Sequence, residues 1–320
     1  MDGLLVIDKP SGPTSHDVVA RIRRLLGERR VGHTGTLDPA ATGVLPLVVG
    51  RATRLARFLS ERGKSYDADI SLGVATDTYD AEGTPLGPPC QGPLPSREAI
   101  DRALDAFRGT FIQQPPAYSA KKIAGRRSYR IARADARHGR RDGSTTSLLR
   151  RLPEPVPVTI QRIEILALEA ARLSLRVDCS AGCYVRALAH DLGERLGIGA
   201  HLAGLRRTRS GDLTLSEAVE LDAIDREPDL AVRALIPPAR MLSSLPAVTL
   251  TPQGVHRAVH GQDLGPADAE QGLGSLFRAS PSAKTSESLF VRLFDAQGEL
   301  IAIGAPARTP GFLHPAVVLV

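Results

Sequence analysis

The chain opens on an unbroken apolar run, Gly3-Leu4-Leu5-Val6-Ile7, stopped by Lys9-Pro10. That is the pattern of a buried strand entering a turn. Ser15 stands where an N-cap belongs, ahead of Val18, Val19, Ile22, Leu25 and Leu26 at helical spacing, and Gly27 closes the segment. A loop rich in Gly and Thr follows from Gly32 to Gly43, and then an apolar strand, Val44 to Val49. Arg51 to Leu59 reads as a short amphipathic helix with Leu55, Phe58 and Leu59 inward. Tyr66, Ala68, Ile70 and Leu72 alternate with polar residues, which predicts a half-buried strand. Ser96 caps a helix carrying Ile100, Leu104 and Phe107. Strands are predicted over Val156 to Leu168 and through the alternating Leu173, Leu175, Val177 and Cys179. The latter leads into a helix with Val185, Leu188, Ala189, Leu192 and Leu196 on one side. Helices and strands intermix without a regular β–α–β rhythm, so the pattern predicts an α+β fold rather than a doubly wound sheet.

The pattern changes near Pro237-Pro238. After Pro246 helical spacing fades, and short strands are predicted at Ala247 to Leu250, Leu289 to Phe294, Leu300 to Ile303 and Ala316 to Val320, with turns at Gly298 and Gly304. This reads as a small β-barrel-like domain from 246 to 320, joined by a linker to a larger domain ending near 236.

Composition narrows the class. At 320 residues, with 42% hydrophobic and 24% charged residues, the chain can bury one large core and a smaller one. No apolar run approaches the roughly 18 residues of a membrane span. The first residues, Met1-Asp2-Gly3-Leu4, lack the basic and apolar regions of a secretory signal. The three cysteines, Cys90, Cys179 and Cys183, are too few for a disulfide framework and fit a reducing cytoplasm. With no second ligand pair nearby, Cys179 and Cys183 read as buried structural thiols rather than as a zinc site.

The formal net charge is +6, and its positive excess is local. Residues 121 to 152 hold eleven Lys/Arg and two Asp/Glu, so the rest of the chain is slightly acidic. A positive balance confined to one segment suits a polyanionic partner, and equally a solvated basic loop.

The densest chemical signal is Gly32-His33-Thr34-Gly35-Thr36-Leu37-Asp38-Pro39-Ala40-Ala41-Thr42-Gly43-Val44-Leu45-Pro46. It lacks the Gly-Lys-Ser/Thr ending of a phosphate-binding P-loop. Taken alone, Asp38 before Pro39 is most often an Asx-turn former. The run, however, resembles the catalytic motif GHTGTLDPxATGVLP of the TruB-type pseudouridine synthases, at all fourteen specified positions. Three further blocks agree, in the family's order. The first is Lys64-Ser65-Tyr66, Leu72-Gly73 and Thr76-Asp77-Thr78-Tyr79-Asp80-Ala81-Glu82-Gly83. The second is Gln113-Gln114-Pro115-Pro116-Ala117-Tyr118-Ser119-Ala120-Lys121-Lys122. The third is Cys179-Ser180-Ala181-Gly182-Cys183-Tyr184-Val185-Arg186, with Asp191-Leu192-Gly193 and Leu205-Arg206-Arg207.

The resemblance implies a fold, a reaction and roles for residues. The fold is the pseudouridine synthase fold, a mixed and largely antiparallel sheet with flanking helices, over residues 1–236. A basic insertion would occupy about 121–155, and a PUA-like RNA-binding β-barrel would follow over 246–320. The reaction turns the T-loop uridine of tRNA, position 55, into pseudouridine: the N1–C1′ bond breaks, the base turns, and C5 bonds to C1′. Nothing is oxidised and no group leaves, so no cofactor and no metal is expected. Asp38 matches the catalytic carboxylate, a nucleophile or base. Arg186 matches the arginine paired with it, whose guanidinium would compensate the carboxylate's charge as the site closes and loses water; read alone it is a surface arginine at a helix start. Tyr66 matches the tyrosine that stacks on the flipped base, though an aromatic on an amphipathic strand also belongs to a core. His33 matches the histidine that enters the vacated space. Tyr184 and Leu205 match residues lining the base pocket, where plain core packing explains Leu205 nearly as well.

The basic segment sits where the family carries an RNA-gripping insertion, and here it is longer than the family pattern. Lys121, Lys122, Arg126, Arg137, Arg140 and Arg141 are the expected phosphate contacts, giving affinity without base reading. From Ala247 onward five Lys/Arg face six Asp/Glu, so the C-terminal domain is expected to add few RNA contacts of its own. The implied partner is the tRNA elbow, bound by a cytoplasmic monomer that needs no protein partner and no membrane. Two rivals stay open: a guide-RNA-dependent synthase working inside a ribonucleoprotein, and an RNA-folding protein whose modification activity is incidental. The short N-terminus and the absence of a long Lys-rich tail favour the stand-alone form.

Overall fold

The computed structural model describes residues 1–119, 121–123, 126–128, 152–271 and 290–320. The expected apolar run at the start becomes β1 (Gly3–Lys9). Helix α1 (Ser15–Leu26) follows, then β2 (Val31–His33) and β3 (Thr42–Val49). A 3-10 turn (Gly50–Leu55) runs into the short α2 (Ala56–Ser60), and β4 (Lys64–Leu72) follows. Helix α3 (Arg97–Leu104) precedes β5 (Gly109–Gln113) and the two short strands β6 (Lys122–Ile123) and β7 (Arg126–Arg127). A long hairpin, β8 (Val156–Glu169) and β9 (Arg172–Cys179), leads to helix α4 (Val185–Leu196) and β10 (Ala200–Ser210). The remaining elements of this part are β11 (Leu213–Thr214), β12 (Val219–Glu220), α5 (Leu221–Arg226) and α6 (Asp229–Arg233).

The main sheet runs β12-β1-β3-β10-β4-β9-β8-β5, with β2 beside β3 and β11 beside β10. Among the described residues of this sheet only β1/β12 and β3/β10 pair in parallel, so the sheet is mixed and largely antiparallel. That order makes β3, β10, β4 and β9 neighbours, although they lie far apart in sequence. The β3/β10 pairing puts Gly43 opposite Arg207. A Cβ on Gly43 would lie 2.2 Å from the Arg207 carbonyl oxygen, and φ there is +99°, so both space and backbone demand glycine.

The helices bury their apolar stripes on this sheet. Val18, Val19 and Ile22 of α1 and Val185, Leu188, Ala189 and Leu192 of α4 enter one core with Leu5, Ile7, Leu45, Ile70 and Leu175. Each fully buried large aliphatic side chain contributes about 1.5–3 kcal/mol, an upper estimate. The cap of α1 differs from the sequence reading by one residue. Thr14 is the N-cap, in a reciprocal box with Asp17. Ser15 is thereby left to bind Leu37 instead.

A second sheet, β14-β13-β15-β16-β17, comprises β13 (Ala247–Leu250), β14 (Ala269–Gln271), β15 (Val291–Phe294), β16 (Leu300–Pro306) and β17 (Leu313–Val318). Between β13 and β14 lies a helix that the sequence pattern does not suggest, α7 (Pro252–Val259), capped by Thr251. Only the small residues Gly254 and Ala258 are buried on it, so it has no wide apolar stripe to read. The two sheets share apolar packing: Leu4, Val48, Leu55 and Phe58 meet Met241, Leu242, Leu300, Ile303 and Leu319. No helix among the described residues is long and apolar enough to cross a membrane.

Candidate active site

Three buried polar side chains shape the loop between β2 and β3. Ser15 Oγ accepts from Leu37 N at 2.9 Å and donates to Leu37 O at 3.0 Å. Lys9, 0% exposed, donates from Nζ to the carbonyls of Pro10 (2.9 Å), Pro39 (2.9 Å) and Ala41 (2.7 Å). Burial pulls its pKa down to about 8, against the opposing pull of Asp38. Arg207 donates to Gly35 O (3.0 Å) and Val44 O (2.6 Å). A glycine-rich loop has many carbonyls and few side chains to satisfy them, and these two cations and one hydroxyl do so. Leu37 is buried in the main core, and the next residue, Asp38, turns outward with 43% of its side chain exposed.

Arg186 reaches Asp38 from the first turn of α4. Its Nε lies 2.9 Å from Asp38 Oδ2, and Nη2 donates to Oδ1 at 3.3 Å. Nη2 also donates to Tyr118 O (2.9 Å) and Nη1 to Thr78 O (3.1 Å), with Asp80 Oδ2 at 3.4 Å from Nη1. The guanidinium is 7% exposed, so this set of acceptors is what makes its burial tolerable. The start of α4 is fixed by Gln113 on β5. Tyr184 N donates to Gln113 Oε1 (2.8 Å), and Gln113 Nε2 donates to Tyr184 O (3.0 Å).

Asp38 and Arg186 stand at a cleft of about 390 Å³. His33, Tyr66, Tyr184 and Leu205 line the same cleft, so all six residues expected at the reaction centre converge there. Tyr66 sits on β4 opposite Arg207 of β10, and burial pushes its phenol up to about 12. Burial also raises the Tyr184 phenol. Leu205 lines the cleft and also packs on the main core. His33 ends β2, its ring edge-on to His16 with centroids 5.2 Å apart. Of the expected phosphate contacts, Lys121 is half-buried, and its carbonyl accepts from Ser128 N at 2.7 Å. Lys122 and Arg126 belong to the β6/β7 pair. Arg137, Arg140 and Arg141 lie outside the described residues.

Several functional residues escaped the sequence reading. Lys9, Arg207, Asp80 and Gln113 hold the loop or the arginine. Lys64 lines the cleft with Nζ donating to Ser60 O and Arg62 O, both at 2.6 Å, and burial lowers it to about 8. The only signal for Lys9 was a lysine closing an otherwise apolar strand. The others stood inside matched motifs with no role attached. Cys179 and Cys183 are free, and Cys183 lines the cleft. A hydrogen bond with Cys179, together with burial, pushes the Cys183 thiol above its ordinary range.

Comparison with known proteins identifies the family. A family model described as TruB family pseudouridylate synthase (N terminal domain) matches residues 23–185, and one described as tRNA pseudouridylate synthase B C-terminal domain matches 186–241. A protein of Solibacter usitatus named tRNA pseudouridine synthase B is 41% identical over 325 residues, covering 100% of both chains. One of that name from Gloeobacter violaceus is 40% identical over 324 residues, covering 100% of this chain and 99% of its own. Another, from Mycobacterium sp. (strain KMS), is 44% identical over 270 residues, 83% of this chain and 85% of its own. Among solved structures, a chain of an H/ACA ribonucleoprotein bound to a substrate RNA containing 2′-deoxyuridine superposes with a TM-score of 0.70 at 26% identity, over 99% of this chain and 85% of that one. A chain of a Cbf5-Nop10-Gar1 complex gives 0.66 at 30% identity, over 96% of this chain and 79% of that one.

Proposed function

The chain belongs to the TruB family of pseudouridine synthases, and from that membership and the geometry of its cleft we propose that it isomerises the T-loop uridine of tRNA, position 55, as a stand-alone enzyme with Asp38 as the catalytic carboxylate. The observation that carries this reading is the side-on pair of Arg186 with a half-exposed Asp38 at the mouth of the cleft. The carboxylate is held in one orientation by the guanidinium yet remains open to a ligand.

The reaction breaks N1–C1′, rotates the uracil, forms C5–C1′, releases the C5 proton to solvent and leaves N1 protonated, so atoms balance and it is redox-neutral. A uridine inside a folded loop must first be extruded, at a cost of a few kcal/mol. Tyr66 offers a stacking face, and base–aromatic stacking returns about 1–3 kcal/mol. Tyr184 and Leu205 close the cleft around the base, and His33 takes the space it vacates. Asp38 supplies the negative charge that promotes cleavage at the sugar–base bond. Arg186 keeps that charge compensated and aimed, a matter of electrostatic preorganisation. Lys64 and Arg207 add positive charge to the lining of the cleft, which suits an anionic substrate. Residues 1–236 form the catalytic domain in this reading. The second sheet, within 246–320, is an auxiliary RNA platform, and the basic stretch around 121–155 grips phosphates.

The resemblance to chains from H/ACA assemblies raises a guide-dependent reading. The greater identity to full-length relatives named tRNA pseudouridine synthase B favours the stand-alone one. Purified protein and an unmodified tRNA transcript, with no guide RNA and no cofactor, decide between them. Pseudouridine is mapped by a base-specific chemical adduct and primer extension. A single stop in the T loop is the expected result. No stop, despite tight tRNA binding, would contradict it.

A further inference from the structure

Tyr79 stands in the left-handed region at φ 66°, a strained backbone for a residue with a bulky side chain. Its ring lies flat on His190, with centroids 3.8 Å apart and planes 8° from parallel. His190 is on α4, one turn beyond Arg186. Its Nδ1 is buried with no hydrogen-bond partner among the described residues, so the ring is held there by its face and not through Nδ1. The residues on either side of Tyr79 are the ones that touch the arginine. Thr78 O accepts from Arg186 Nη1, and Asp80 Oδ2 lies beside the same nitrogen. Thr78 Oγ1 donates to Asp80 Oδ1 at 2.5 Å and sets that carboxylate's orientation. The backbone of the turn is tied to β10: Leu202 N donates to Tyr79 O, and Ala81 N donates to Leu202 O.

A strained aromatic and an orphaned imidazole nitrogen both carry a cost, and they meet in one flat contact. We propose that the Tyr79–His190 stack is a positioning device for Arg186. It clamps the 78–80 turn onto α4, so that Thr78 and Asp80 hold the guanidinium side-on against Asp38. Neither ring touches substrate; both act through the arginine. The catalytic consequence rests on the proposed isomerase reading, whereas the effect on the guanidinium does not.

Two readouts therefore test it. The first is the Arg186 Nε–Hε resonance, assigned by its loss in Arg186→Lys, which reports the guanidinium's environment whether or not the protein turns over. The second is the kcat and KM of pseudouridine formation. Tyr79→Asn tolerates the left-handed backbone but lacks the ring, and His190→Leu removes the flat face. Tyr79→Phe and His190→Phe keep a stack. The Asn and Leu variants are expected to move the resonance and lower kcat about tenfold, with KM within about twofold, while both Phe variants stay near wild type. In an Asp80→Asn background the Tyr79→Asn loss should shrink, because the clamp then has less to position. Should Tyr79→Asn fail to fold, His190→Leu carries the same test. An unmoved resonance in the Asn and Leu variants would overturn the proposal, as would a kcat loss shared equally by Phe and Leu at position 190. A full additive loss on Asp80→Asn would do the same. Absence of any turnover in the wild-type protein would sink the isomerase reading instead, and the resonance would still decide this one.

Discussion

Arg186 grips Asp38 side-on across 148 residues of sequence, Nε to Oδ2 at 2.9 Å and Nη2 to Oδ1 at 3.3 Å. The arginine is almost wholly buried and the carboxylate nearly half exposed, so the pair has a fixed side and an open side. Only a planar fork sets two nitrogens against one carboxylate while its other N–H groups engage Thr78 O and Tyr118 O. Arg186→Lys keeps the charge and loses the fork. Its kcat is expected to fall on the order of a hundredfold, with tRNA affinity changed by about threefold at most. Steady-state kinetics beside a filter-binding titration check this. Weakened binding at normal turnover would remove the arginine from the catalytic pair.

Gln113 is buried and clamps both backbone groups of Tyr184, the residue that caps α4. Gln113→Ala loses two hydrogen bonds and leaves Tyr184 N unpaired, while Tyr184 O keeps its bond from Leu188 N. Urea unfolding should show a loss of about 1–3 kcal/mol. Turnover should fall as well, because Arg186 begins two residues later. A stability loss with full turnover would show that the start of α4 holds its place without the clamp.

Burial raises the Asp191 carboxyl to about 6 from 3.8. The folded state therefore holds this proton more tightly than the unfolded chain. Its contribution is fully present below pH 3.8 and is lost as pH rises through about 6. Asp191→Asn should melt higher than wild type at pH 7.5, and the gap should close as pH falls toward 4. Melting curves across that range test it, and a gap that widens on acidification would contradict the assignment.

The +9 segment carries a prediction about binding alone. Replacing Arg137, Arg140 and Arg141 with Gln should weaken tRNA binding and reduce its salt slope by up to about one unit per arginine that meets a phosphate. An unchanged slope would make the segment a bystander.

Much of this was legible because amphipathic elements advertise themselves. β4, β9, α1 and α4 each show an apolar face to the core, β1 is an unbroken apolar run buried on both faces, and Asp38 and Arg186 stand in motifs too long to arise by chance. What stayed hidden has physical reasons. Strand β10 shows no clean alternation, since His201, Gly204, Arg206, Arg207 and Arg209 interrupt its apolar residues. Arg206, Arg207 and Arg209 instead serve Asp8, the Asp38 loop and Ser65. Thr14 outcompeted Ser15 as a cap because Asp17 could reciprocate, and that Thr-x-x-Asp signal was present to be read. The work of Asp80 and Lys9 depends on partners brought near only by the fold: Arg186 for one, and the carbonyls of Pro39 and Ala41 for the other.

The central claim is that Asp38 performs the isomerisation and does not merely hold the loop. Because C5 must release its hydrogen to bond with C1′, tRNA carrying [5-³H]uridine reports each turnover as tritium in water. Wild-type protein should release the T-loop uridine's tritium, and Asp38→Asn, similar in shape but uncharged, should release none while binding tRNA within about threefold of wild type. Tritium release by the variant, or loss of binding in step with loss of release, would contradict the assignment.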